Sequence, residues 1–134
     1  MKRDTPKKVF IADDSQIVRE RLVSLLSELS GVDVVGEAET AFEAIQSIRR
    51  LKPAVVILDI SMPGGSGIQV LEAIRKDKAV PLIIMLTNFT HEPYRQRCLK
   101  LGADYFFDKS NEFEKVKDVL ENMVVPGAAK RAVH

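Results

Sequence analysis

A chain of 134 residues has room for one hydrophobic core, and 46% apolar with 29% charged residues is the balance of a soluble globular domain. A formal net charge of +1 gives no basic footprint for nucleic acid or for an anionic membrane surface. The first apolar run lacks the length and cleavage site of a signal peptide, no segment is long enough to cross a bilayer, and Cys98 has no partner for an internal disulfide, so a cytoplasmic location is expected.

Val9-Phe10-Ile11-Ala12 reads as a buried strand and ends in Asp13-Asp14. Ser15 can cap the helix that follows, whose stripe is Val18, Leu22, Leu25, Leu26 and Leu29, with Gly31 as its stop. Val32-Asp33-Val34-Val35 suits an edge strand. Thr40 and Glu43 have the spacing of a capping box, with Ala41, Ala44, Ile45 and Ile48 as the apolar face behind it. Val55-Val56-Ile57-Leu58 is an unbroken apolar run, expected to be a central strand, and it delivers Asp59 at its carboxyl end.

The loop from Ile60 to Gly67 leads into a second capping box, Ser66 with Gln69, and a helix with Ile68, Leu71 and Ile74 inward. Pro81 opens the strand Leu82-Ile83-Ile84-Met85-Leu86, which ends at Thr87. Pro93 fits the first turn of a fourth helix, with Tyr94, Cys98 and Leu101 inward and Gly102 as its end. Tyr105-Phe106-Phe107 is a fifth strand, closed by Asp108-Lys109. Asn111 and Glu114 can cap the last helix, whose stripe is Phe113, Val116, Leu120 and Met123 and which Pro126-Gly127 breaks.

Strand and helix alternate five times, which predicts a parallel sheet with helices on both faces. The edge character of the second strand is compatible with strand order 2-1-3-4-5, which would gather Asp13, Asp14 and Asp59 at one rim. Clustered carboxylates repel one another, and a divalent cation relieves the repulsion. An all-oxygen site with few protein ligands suits Mg²⁺ better than Zn²⁺. Lys109 adds a positive charge and Thr87 a hydroxyl, so the rim makes a receptacle for a phosphoryl group with an aspartate as nucleophile.

This ordered set resembles the receiver domain of two-component response regulators, of the single-domain kind found in chemotaxis. The similarity runs from about Lys8 to Val124. It rests on Asp13-Asp14, Asp59 with Met62-Pro63-Gly64 and Gly67 behind it, Thr87, and Lys109. The separations of 45, 28 and 22 residues from Asp14 to Asp59, Thr87 and Lys109 in turn also match. The resemblance implies a three-layer flavodoxin-like (βα)5 fold, a receiver domain over residues 1–125, and a short tail over 126–134 with no output domain.

By the same resemblance, Asp59 accepts a phosphoryl group from a sensor histidine kinase or phosphotransfer protein. Asp14, Asp59 and the Ser61 carbonyl would ligate Mg²⁺ directly, and Asp13 mostly through water. Thr87 and Lys109 would each hold a phosphoryl oxygen, and Thr87 with Phe106 would form the switch. The readout face would span His91–Leu101, Tyr105–Phe107 and Glu112–Met123, for a downstream protein or a second copy of the chain. Turnover is not the expected output, so the chain reads as a switch rather than an enzyme, with no direct contact to nucleic acid or membrane.

The sequence departs from the family pattern at Ser110, where proline is usual, at Asn88, where a small residue is common, and at Phe89, where many relatives are polar. Phe89 is expected to shield the phosphoryl group from water. Two other functions compete. An aspartate-nucleophile phosphohydrolase would place Asp-x-Asp after its first strand, whereas Asp13-Asp14-Ser15 stands here. A receiver fragment of a longer DNA-binding transcriptional regulator is the stronger alternative, since Val34 to Asp59 resembles receivers joined to helix-turn-helix domains.

Overall fold

The computed structural model describes residues 5–78 and 81–124. Five strands form the main sheet: β1 (Lys7–Ala12), β2 (Val32–Ala38), β3 (Val55–Leu58), β4 (Leu82–Thr87) and β5 (Tyr105–Asp108). They pair in parallel in the order β2-β1-β3-β4-β5, as the sequence suggested. The helices are α1 (Gln16–Leu26), α2 (Ala41–Leu51), α3 (Gly67–Lys76), α4 (Glu92–Lys100) and α5 (Lys115–Val124). A two-stranded antiparallel ribbon, Ser61–Met62 with Gly65–Ser66, lies between β3 and α3.

The period of two along each strand sorts the core into two layers. Val9, Ile11, Val55, Ile57, Ile84 and Leu86 point to one face, where Leu22 and Leu26 of α1 meet Val116 and Leu120 of α5. Phe10, Ala12, Val56, Leu58, Ile83 and Met85 point to the other, against Ala44 and Ile48 of α2, Leu71 and Ile74 of α3, and Cys98 of α4. Four fully buried residues in a row, Val55 to Leu58, are the consequence of cover on both faces. Burial pushes the Cys98 thiol up to about 11, so it behaves as the small core residue the sequence suggested.

Several local readings need correction. Helix α1 ends at Leu26, and Gly31 does not stop it. The chain tightens there into i→i+3 bonds, Glu28 N–H to Leu25 and Leu29 N–H to Leu26, so Leu29 is buried from a turn rather than from the helix. Strand β2 runs to Ala38, beyond the predicted Val35, because a bulge beside Val9 and Phe10 restarts the pairing at Gly36. Thr40 caps α2 by accepting the Glu43 N–H at 3.1 Å, but the Glu43 carboxylate takes the Glu39 N–H at 3.5 Å, so the box is not reciprocal. The Ser66–Gln69 box is complete, and Val70 is buried on α3, whereas Ile68 is only half-buried.

Tyr94 does not face inward: it is 39% exposed and packs edge-on against Phe89, with ring centres 6.0 Å apart. Helix α5 starts at Lys115, and neither Asn111 nor Phe113 belongs to it. Asn111 is spent on the preceding loop, where its amide donates to Asp108 at 3.0 Å. Phe113 is buried ahead of the helix, under the Arg21 guanidinium. The predicted break at Pro126-Gly127 and the tail lie outside the described residues. No helix among the described residues is long and apolar enough to cross a membrane.

Candidate functional site

The carboxyl ends of β1, β3, β4 and β5 converge on one rim, because parallel strands all end on the same side and β1 and β3 are neighbours. The ladder is tied off residue by residue. Asp13 N–H donates to Ala38, Asp59 N–H to Ala12, and Lys109 N–H to Thr87, each carbonyl accepting at 2.9–3.0 Å. Three backbone bonds thus fix where the acidic side chains and the lysine leave the sheet.

Asp13 and Asp59 are buried, Thr87 is fully buried, and Asp14 is exposed. One carboxylate oxygen from each of Asp13, Asp14 and Asp59 lies within 4.8 Å of the others. The Lys109 ammonium reaches across from β5 to Asp13 Oδ2 at 2.8 Å and Asp59 Oδ2 at 3.1 Å. The remaining oxygens are held from the backbone, Asp13 Oδ1 by the Ser15 N–H at 2.8 Å and Asp59 Oδ1 by the Ile60 N–H at 2.7 Å. The Thr87 hydroxyl oxygen accepts the Phe89 N–H at 3.1 Å, which leaves its own hydrogen free to donate.

A set of three close carboxylates with no nitrogen or sulfur donor is the chemistry of a hard divalent cation, so the residues fit a metal centre. Burial by itself pulls the Lys109 ammonium down, but the hydrogen bond to Asp13 and the charges of Asp59 and Asp13 outweigh it, and its pKa ends up raised. The lysine is therefore a fixed positive charge through the neutral range.

Burial pushes the Asp13 carboxyl up, with hydrogen bonds from Lys109 and Ser15 opposing the rise and the Asp59 charge adding to it. A carboxyl raised in the folded state contributes its full stability below the unfolded value near 3.8 and loses it as pH climbs through the folded value. Asp13→Asn is therefore expected to stabilise the metal-free protein, by an increment that grows as pH rises above the unfolded value near 3.8. Urea unfolding in the presence of a chelator measures it, and an increment that shrinks toward neutrality would contradict the assignment.

Of the residues singled out from sequence, Asp13, Asp14, Asp59, Thr87 and Lys109 come together. Ser61 stands in the ribbon just beyond Asp59 with its side chain in solvent. Phe106 is buried in the α2–α3–α4 layer of the core, and Arg95 lies over its ring at 5.6 Å. The Lys109-Ser110 peptide is trans.

Sequence reasoning missed Arg19. Its Nη1 donates to the Asp13 carbonyl at 2.6 Å while Nε pairs with Glu37 at 3.0 Å, bracing β1 against β2 behind the site. The Glu37-x-Glu39 pair on the neighbouring strand was the available signal. Also missed was Asp108, whose carboxylate accepts from Ser110 N–H and Asn111 Nδ2 at 2.8 and 3.0 Å and sets the turn after Lys109.

The family profile of the response regulator receiver domain matches residues 9–121. A curated relative, the uncharacterized transcriptional regulatory protein YvfU of Bacillus subtilis, is 35% identical over 117 residues, which is 87% of this chain and 58% of the relative. Across the first curated relatives the chain spans about half of their length. Among solved structures, the signal receiver domain of NarL from Mycobacterium tuberculosis superposes with TM-score 0.80 at 33% identity, covering 88% of this chain and 96% of that one. The CheX-CheY-BeF3-Mg²⁺ complex of Borrelia burgdorferi gives 0.81 at 27% identity, covering 90% and 91%.

Proposed function

Because the chain belongs to the response regulator receiver-domain family, we propose that it is a phosphorylation-driven signalling switch with Asp59 as its phosphoacceptor. One observation carries the reading: a buried carboxylate at the end of the central strand, faced by an ammonium at 3.1 Å and by two further carboxylates. The receiver domain takes in residues 1–125.

The Ile60 N–H holds Asp59 Oδ1, so Oδ2 is the oxygen on the open side. Its attack on phosphorus breaks the donor's phosphorus–nitrogen bond, in a phosphohistidine, and forms an acyl phosphate on Asp59. Lys109 leaves Oδ2 and pairs with a phosphoryl oxygen, and the Thr87 hydroxyl donates to another. Mg²⁺, held by Asp13, Asp14 and Asp59 with the Ser61 carbonyl, would neutralise charge on the transferring group.

Upstream, the partner is a sensor histidine kinase or phosphotransfer protein. Downstream, Thr87 and Phe106 turn occupancy of Asp59 into a change on the α4-β5-α5 face, read by a protein target or a second copy. Amide spectra recorded with Mg²⁺ and beryllofluoride test this. Shifts are expected at Thr87, Phe106 and across α4, β5 and α5, and shifts confined to the rim would contradict a switch.

Phe89 is 41% exposed and its N–H is bonded to the Thr87 hydroxyl oxygen, and in this reading its ring covers the phosphoryl group from water. Phe89→Glu is expected to shorten the phosphorylated lifetime several-fold, followed by loss of the acyl phosphate over time. An unchanged lifetime would remove the shielding role. The second reading is that the chain is the receiver part of a longer DNA-binding regulator, favoured by the short coverage of a relative named as a transcriptional regulatory protein.

A further inference from the structure

One peptide group joins Asp13 to Asp14, and these residues supply two of the three carboxylates that lie close enough to share a cation. Asp13 is otherwise fixed by backbone. Its N–H donates to the Ala38 carbonyl at 3.0 Å, and its Oδ1 accepts the Ser15 N–H at 2.8 Å. The Asp13 carbonyl oxygen is held differently. Among the described residues no backbone N–H reaches it, and its donor is Nη1 of Arg19, in the first turn of α1, at 2.6 Å. The Arg19 side chain is 12% exposed and is anchored at its other edge, with Nε on Glu37 at 3.0 Å and Nη2 at 3.8 Å from Glu39. Asp14 has no comparable support. It is exposed, and among the described residues no hydrogen bond or ion pair holds its carboxylate, so its direction rests on the peptide before it.

Resting on the reading of this rim as a metal centre, we propose that Arg19 is a positioning residue for the cation: anchored on Glu37, it holds the Asp13–Asp14 peptide so that both carboxylates face one ion. A guanidinium has no acceptor atom and cannot itself be a ligand, so Arg19 acts through the Asp13 carbonyl. Its charge works the other way, since a nearby positive group opposes Mg²⁺. Positioning and charge therefore predict opposite signs when Arg19 is removed.

Titration of the chelator-stripped protein with Mg²⁺ alone, followed by amide resonances, separates them. The double variant Arg19→Met with Glu37→Gln removes both members of an ion pair and leaves net charge unchanged. It is expected to bind Mg²⁺ about tenfold more weakly, the low end for loss of a group that orients metal ligands. Glu37→Gln alone keeps an acceptor for Nε and should stay within about twofold of wild type. Arg19→Lys keeps the charge but offers one ammonium in place of a fork, and should lose about threefold.

Unchanged Mg²⁺ affinity in the double variant, with a lower melting temperature, would reduce Arg19 to a structural brace and overturn the inference. A loss in Glu37→Gln as large as in the double variant would assign the effect to the Glu37 charge and overturn it as well. If the double variant does not fold, Arg19→Lys decides, and wild-type affinity there is the contrary result. Absence of Mg²⁺ binding by the wild type overturns the metal-centre reading itself, and this inference with it.

Discussion

Gly67→Ala is expected to cost about 3 kcal/mol or more of stability and to abolish phosphorylation of whatever remains folded. A methyl group built at Gly67 would stand 1.9 Å from the Asp59 carbonyl oxygen and 3.2 Å from Ile60 Cα. Both are backbone, so no side chain can swing aside. The close approach is structural, because the Gly67 N–H donates to the Ile60 carbonyl at 2.8 Å and so docks the start of α3 on the loop leaving β3. Relief of the clash must move either α3, with Val70, Leu71 and Ile74 in the core, or the peptide that positions Asp59.

Gly64 provides the contrast. Its φ is +74°, and nothing lies within 4 Å of an added methyl, so Gly64→Ala should cost only about 1–2 kcal/mol of backbone strain. Urea unfolding of the two variants separates a local strain from a collision at the site. Equal losses would contradict the account.

Lys109→Met is expected to move two quantities in opposite directions. The ammonium stands on Asp13 and Asp59, two of the three carboxylates that can hold a cation. Removing it leaves those carboxylates uncompensated, so Mg²⁺ should bind tighter by on the order of tenfold. The same change removes a preorganised charge from the transferring phosphoryl group. Phosphorylation by a small donor should therefore slow by about 10²–10³-fold. A purely structural lysine would give weaker Mg²⁺ binding along with lower activity, and that result would contradict the proposed role.

The parts of the molecule that follow from periodicity and position were legible in the chain. Unbroken apolar runs gave the inner strands, since a strand covered on both faces has no polar position to show. Asp13, Asp59 and Thr87 were found because each directly follows such a run, and Lys109 because it comes two residues after Phe107. What failed was set by contacts that cross the sequence. Leu29 and Phe113 fit helical stripes, yet both are buried from turns, because spacing does not reveal where backbone bonds tighten or where Asp108 diverts Asn111 into a loop. Tyr94 looked internal by spacing, but its partner is Phe89 at the rim, outside the helix. Arg19 showed no signal on its own, since its acceptors lie on β1 and β2 and are joined only by the fold.

The most direct measurement of the central claim is intact mass after incubation with acetyl phosphate and Mg²⁺, for the wild type and for Asp59→Asn, with and without chelator. The account predicts one added phosphoryl group that requires Mg²⁺ and is lost in Asp59→Asn. An adduct that persists in Asp59→Asn, or a wild type left unmodified both by acetyl phosphate and by a phosphorylated histidine kinase, would contradict it.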